Sequence, residues 1–245
     1  MNKFTRRTVI AAACAAAAMT FAPMSFAQQA PEKKDVTIAV GGKSLYYYLP
    51  LSIAEQLGYF KDEGLNVKIV DFQGGSRSLQ AVVGGSADVV SGAFEHTISM
   101  QAKKQPMTAF VLQGRAPQLA LVVSNKTMKD YKQLSDLKGK KVGVTAPGSS
   151  SQMVANFILK KGGLGPKDVA FIGVGSSSGA VSAIRSGQID ALINLDPVIT
   201  ILLKSGDAKL VADTRKVKES ESFFGGTMPA GCLYAPVSFV EKNPK

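Results

Sequence analysis

Apolar residues recur along this chain in two alternating rhythms. Short β-branched runs bounded by Gly alternate with stretches whose apolar residues share one helical face. Val36–Val40 is predicted as a strand closed by Gly41-Gly42. A helix opens at Pro50, puts Ile53, Ala54 and Leu57 on one face and ends at Gly58. Leu65–Phe72 follows as a strand, Leu79, Val82 and Val83 mark a helix, and Asp88–Ser91 is a third strand. Phe94–Lys104 is predicted helical with Ile98 and Met100 inward, and Met107–Gln113 and Gln118–Ser124 as strands. Asn125–Gly139 is polar and Lys-rich and is predicted to cross from one lobe to another.

The same grammar then restarts with strands at Lys141–Thr145, Val169–Val174, Asp190–Asn194 and Lys209–Ala212. Helices between them carry Met153, Phe157, Ile158 and Leu159, then Val181 and Ile184, and a further helix begins at Asp196-Pro197. Ala81-x3-Gly85-x2-Asp88 is echoed by Ala183-x3-Gly187-x2-Asp190, each preceded by a Gly-Ser loop. Strand–helix alternation predicts α/β lobes with largely parallel sheets. The expected division is a lobe over 35–124, rejoined by 229–245, and a second lobe over 125–228. In such sheets ligands lie at the carboxyl ends of the strands, where the Gly/Ser loops fall.

Composition narrows the chemistry. His96 is the single histidine, and Cys14 and Cys232 are the two cysteines. A Cys/His zinc site needs about four soft ligands, so no metal centre of that kind is expected. Lys3, Arg6 and Arg7 precede an apolar, Ala-rich run over Val9–Ala22, and Ser25-Phe26-Ala27 supplies a small-x-small cleavage pattern. Residues 1–27 therefore read as a signal peptide cleaved after Ala27, with a twin-arginine look at Thr5–Ile10. The net charge is +11, and the leader carries three bases and no acid. The remaining bases are scattered without interleaved aromatics, which excludes a nucleic-acid partner. Basic character in an exported protein suits attraction of small anions or an acidic partner.

Three enzyme motifs fail on physical grounds. Gly42-Lys43-Ser44 lacks the upstream Gly of a phosphate loop, where Thr37 stands within the strand. Gly173-x-Gly175 has Ser178 in place of the third Gly of a dinucleotide fingerprint. Gly175–Gly179 matches G-x-S-x-G, but that hydrolase order needs a later His, and His96 comes earlier. All three read as strand–helix loops whose free N–H groups suit anions or polar groups. Ser149, Ser150 and Ser151, after Pro147-Gly148, are the strongest such helix start; simple capping is the competing reading. Arg115 is favoured over Arg77 for gripping a carboxylate or sulfonate. At least one of Tyr46, Tyr47 and Tyr48 is expected to line a cleft. Glu95 suits a ligand amine or the first helical turn, and His96 a cap or core position.

Tyr48-x-Pro50-Leu51-x-Ile53-Ala54-Glu55-Gln56-Leu57-Gly58-Tyr59-Phe60 closely resembles the first helix of the nitrate/sulfonate/taurine class of ABC-transporter substrate-binding proteins. Leu137–Val144, Ala146–Ser150, Ser186–Ala191 and Asp196-Pro197 are similar to its later landmarks. The resemblance implies a two-lobed periplasmic-binding-protein type II fold that closes on a small solute and feeds an ABC permease. It implies a monomer, no cofactor and no catalysis; the alternative is an enzyme related to thiamine-pyrimidine synthesis. It places ligand contacts at Gly42, Lys43, Ser44 and Tyr46, at Gly75 and Ser76, at Phe94 and Glu95, and at Gly148, Ser149, Ser150 and Ser151. Asp196 would face the cleft near the hinge. The class usually runs on through helices completing the first lobe, so a chain truncated at its C-terminus is expected.

Overall fold

The computed structural model describes residues 30–245, so the expected leader and its cleavage site lie outside the described residues. Two five-stranded sheets are built from strands β1 Asp35–Val40, β2 Asn66–Asp71, β3 Val89–Ala93, β4 Met107–Leu112, β5 Ala120–Ser124, β6 Lys141–Val144, β7 Ala170–Gly173, β8 Ala191–Asn194, β9 Ala208–Asp213 and β10 Gly231–Pro236. The first has the order β2-β1-β3-β10-β4 and the second β7-β6-β8-β5-β9. In each, four strands run in one direction and a single antiparallel strand, β10 or β5, sits fourth, between two neighbours. The two sheets therefore share one topology, and the mixed α/β expectation holds.

Helices cover the sheets: α1 Leu49–Gln56, α2 Tyr59–Asp62, α3 Gly75–Val83, α4 Glu95–Ala102, α5 Ser150–Lys161, α6 Ser178–Ser186, α7 Val198–Lys204, α8 Val217–Phe224 and α9 Val237–Lys242. Their apolar faces pack on Val40, Val90, Val142, Leu192 and Ile193, all fully buried. Ile98 departs from expectation. It is 59% exposed while Met100 is 3% exposed, because residues two apart on a helix point to different sides.

The echoed motif has one physical job in both lobes. Gly85 (φ +76°) and Gly187 (φ +82°) take the left-handed conformation that ends α3 and α6. The carbonyls of Ala81 and Ala183 each accept two N–H groups from the turn that follows. Asp88 then accepts the Thr37 N–H at 2.8 Å, and Asp190 the Lys141 N–H at 2.9 Å. Each aspartate thus fixes the start of the neighbouring parallel strand.

The boundary expected at 124/125 is displaced. β5 pairs antiparallel with β8 and β9, so 120–124 belongs to the second sheet and the first crossing runs over 113–119. Asn125–Gly139 is polar because it wraps the surface of that lobe and ends in a capping box made by Gln133 and Asp136. The return crossing runs from 214 to 230 and contains α8, for which no helix is predicted from sequence; Phe224 on it meets Phe157 of α5, with ring centroids 5.2 Å apart.

The two crossings are tied to each other at both ends. Gly114 N–H donates to the Gly231 carbonyl at 3.0 Å, and Ala230 N–H to that of Gly114 at 3.1 Å. At the other end the buried Thr214 hydroxyl accepts from Leu119 N–H at 3.1 Å and donates to the Leu119 carbonyl at 2.7 Å. Thr214→Val keeps the shape but leaves a buried N–H unsatisfied. Urea titration is expected to show a loss of about 1–3 kcal/mol; an unchanged midpoint would show that the tie contributes nothing.

Candidate functional site

The carboxyl ends of β1, β2 and β3 face those of β6, β7 and β8, and the loops leaving them touch. Ser76 N–H, in the first turn of α3, donates to Ser149 Oγ at 3.0 Å. Ser149 Oγ lies 3.2 Å from Ser76 Oγ, which donates to the Pro147 carbonyl at 2.9 Å. Ser149 is the N-cap of α5 but makes no cap bond to its own helix. Its hydroxyl serves the helix of the opposite lobe. Gly74 permits this approach, since a Cβ there would stand 2.8 Å from the Ala146 Cβ. A side chain at Gly42 would collide with Ser176 in the same way. Nearer the crossings, Tyr46 N–H donates to the Asp196 carbonyl at 3.0 Å.

Behind the first-lobe loops lies a buried polar cluster of Tyr47, Tyr48, Glu95, His96, Cys232 and Tyr234. Tyr48 OH accepts the Gly41 N–H at 3.1 Å, and His96 Nδ1 and Tyr234 OH are 2.9 Å apart. Among the described residues, two buried atoms of this cluster have no hydrogen-bond partner, Tyr47 OH and Glu95 Oε1, while His96 lies against the Gly148 backbone of the opposite lobe. Burial pushes the Glu95 carboxyl up to about 7 and the His96 imidazole down to about 4. Burial also raises Tyr47 and Tyr234 well above their usual range, with the Glu95 charge adding to both. Tyr48 and Cys232 are raised to about 12 by burial. Each shift says that the environment disfavours charge.

The residues named from sequence divide into three sets. Gly42, Gly75, Ser76, Gly148 and Ser149 sit where the lobes meet. Phe94 and Glu95 lie at the end of β3, Phe94 half-buried as the N-cap of α4 and Glu95 in the polar cluster. Tyr46, Arg115 and Asp196 line a cavity of about 350 Å³ beside the crossings, together with Arg215 and with Tyr47 of the polar cluster.

Several roles need correction. Lys43 pairs with Glu55 of α1 at 2.6 Å, and Ser44 is exposed, so neither points at the cluster. Ser151 binds Thr145 N–H at 3.0 Å and holds its own loop, while Ser150 is half-buried at the first residue of α5. The Asp196 carboxylate is used by Thr200 and by Arg215, which also grips Asp213. Arg115 is exposed and lines the cavity beside the crossings, while Ser149 lies at the contact of the lobes. Tyr234 had no local signal, because only the β10 pairing brings it beside His96.

Glu95 and His96 act oppositely on stability. Glu95 has a raised folded pKa, so its burial costs stability as pH climbs from 4.5 toward 7; that of His96 is lowered, so its burial costs stability as pH falls from 6.5 toward 4. Between 4.5 and 6.5 the two slopes cancel. Glu95→Gln is expected to melt with a steep acid dependence over that range. It should gain up to ~3 kcal/mol over the parent by pH 7. Parallel melting-versus-pH curves for the two proteins would contradict these burial effects.

The family described as NMT1/THI5 like matches residues 46–221. YtlA of Bacillus subtilis, which carries the name of a binding protein, is 25% identical over 99% of this chain and 70% of its own length. The 4-amino-5-hydroxymethyl-2-methylpyrimidine phosphate synthase of Schizosaccharomyces pombe is 27% identical over 66% of this chain, which spans 45% of that enzyme. A solved protein of Bordetella bronchiseptica RB50 superposes with a TM-score of 0.87 at 63% identity, over 88% of this chain and 68% of that one. The alkanesulfonate-binding protein SsuA of Xanthomonas axonopodis gives 0.67 at 20% identity, over 86% of this chain and 68% of its own. The periplasmic nitrate-binding protein NrtA of Synechocystis gives 0.70 at 17%, over 88% and 58%. These last two carry the two-lobed periplasmic-binding-protein fold seen here. With about 70% of its length inside the matched region, the chain belongs to the NMT1/THI5-like family.

Proposed function

We propose that this chain is the periplasmic solute receptor of an ABC importer, closing its lobes on a small organic solute that bears N–H donors. The observation that supports this is Glu95, a buried carboxyl with one oxygen unpartnered and no cation against it. A solute N–H would satisfy that oxygen, and Tyr47 OH offers a further polar contact beside it. An anionic head group, favoured on sequence grounds, would require the Glu95 carboxyl to stay protonated, whereas an N–H donor suits its ionised form. The two nearby arginines line a cavity with Tyr47, but Arg215 is held by Asp196 and Asp213 and Arg115 is exposed.

The relatives bracket this reading. The sulfonate- and nitrate-binding proteins share the fold at low identity, while the fungal synthases are named for an amino-bearing pyrimidine. An aminopyrimidine is thus one solute of the required chemistry. A second reading, a synthase on this fold, draws on the fungal match over two thirds of the chain. Capture and delivery to a permease fit the two-lobed architecture without a reaction step.

Calorimetry with an aminopyrimidine, a primary amine, nitrate and an alkanesulfonate tests the proposal. An N–H donor is expected to bind one to one, and Glu95→Gln to weaken it by at least about tenfold. Binding of nitrate or alkanesulfonate that is indifferent to Glu95→Gln would overturn it. Chemical conversion of the bound aminopyrimidine would move the assignment to the enzyme.

A further inference from the structure

The second sheet has two ends of different character. Its cleft end holds Thr145, Ser149, Ser176 and Asn194, all buried and uncharged. The opposite end is where β6, β7 and β8 begin, where β5 finishes, and where α5, α6 and α7 terminate. Every base of the segment 126–209 lies at this far end, eleven lysines and one arginine. All are exposed except Lys140, which is half-buried.

The acids there do not neutralise this field one for one. Five aspartates share the pole: Asp130, Asp136, Asp168, Asp190 and Asp207. Asp136, Asp168 and Asp190 accept backbone N–H groups, and Asp207 pairs with Arg185. Among the described residues, no lysine of the pole makes an ion pair. Helix dipoles account for a minority of these bases. Lys160, Lys161, Arg185 and Lys204 sit in last helical turns and Lys126 Nζ donates to the last carbonyls of α6, whereas Lys129, Lys132, Lys138, Lys140, Lys141, Lys167 and Lys209 do neither.

We propose that this pole is an attachment surface for an anionic phospholipid bilayer. Two features favour lipid over an acidic protein. The bases are almost all lysine, a hydrated point charge suited to a diffuse anionic surface, and the one arginine is already paired. The pole also has few of the exposed large apolar residues that form the centre of a protein interface: only Ile201, one turn from Lys204, and Leu210, beside Lys209, adjoin its bases. The surface is at the end remote from the cleft, so bilayer attachment leaves the loops around Ser76 and Ser149 open to solute.

Co-sedimentation of the full chain with vesicles of equal parts phosphatidylglycerol and phosphatidylcholine tests this. Each lysine at an anionic surface adds roughly fivefold in affinity. Reversing Lys129, Lys132, Lys138 and Lys167 to Glu is expected to weaken binding by at least about a hundredfold. Neutralising the same four to Gln should also weaken it by about a hundredfold or more, though less than reversal does. A control reversing Lys34, Lys61, Lys68 and Lys242 of the first lobe should keep most of the binding. Salt of about 1 M, which shortens the screening length to ~3 Å, should release the parent. Equal vesicle binding by parent and both pole variants overturns the proposal. So does retention on polyglutamate without vesicle binding, which would assign the pole to an acidic protein.

Discussion

Two helix N-termini meet across the cleft, and their like partial charges dictate what the surrounding loops can be. α3 and α5 point their free N–H groups toward each other, and the Ser149 hydroxyl stands between them, accepting from Ser76. The arrangement works only at short range. Gly74 leaves room for Ala146, Gly42 leaves room for Ser176, and Ser76 reaches the Pro147 carbonyl. Because Ser149 is committed to the other lobe, α5 obtains its local order elsewhere: Ser151 holds Thr145, and Gln152 accepts the Gly148 N–H at 2.7 Å. Residues that look like ordinary caps in sequence thus form the seam between the lobes.

The cluster around Glu95 shows the opposite use of burial. A carboxyl, an imidazole and three phenols are withdrawn from water with few bonds among them, and burial dominates every shift. Leaving Glu95 Oε1 and Tyr47 OH unsatisfied costs free energy of the order of 1–3 kcal/mol each. The two packed lobes offset that cost. Such a concentration of unmet polar capacity, at the strand ends and against the loops of the second lobe, is what the proposed solute would satisfy.

Most of the architecture was legible because local signals and tertiary demands agree. Glycines ending helices, β-branched runs and the repeated Ala81/Ala183 motif each report a short-range geometry, and that geometry is present. The crossing was misplaced because β5 reads like any other apolar strand, and nothing in 118–124 says which sheet it will join. Glu95 and the Ser149 loop were legible as strand-end positions. Arg115 and Lys43 misled because charge in a loop does not reveal direction: one is exposed beside the crossings and the other reaches Glu55. His96 was legible only as a cap or core residue, since its partner Tyr234 is 138 positions away.

The place of β10 bears on how the chain becomes a protein. The second sheet is drawn entirely from 120–213, a contiguous stretch that can complete itself as soon as it is available. The first sheet cannot, because β10 fills the gap between β3 and β4. A chain emerging from its N-terminus therefore shows β1 to β4 first, with the seat of β10 vacant and two strand edges unpaired. Closing that gap joins residues more than a hundred positions apart, the kind of contact that forms slowly. Tyr234 arrives with the same strand, so the polar cluster is assembled last. Order of synthesis and order of folding are thereby reversed between the lobes: the half made first is finished second, and the site is completed with it.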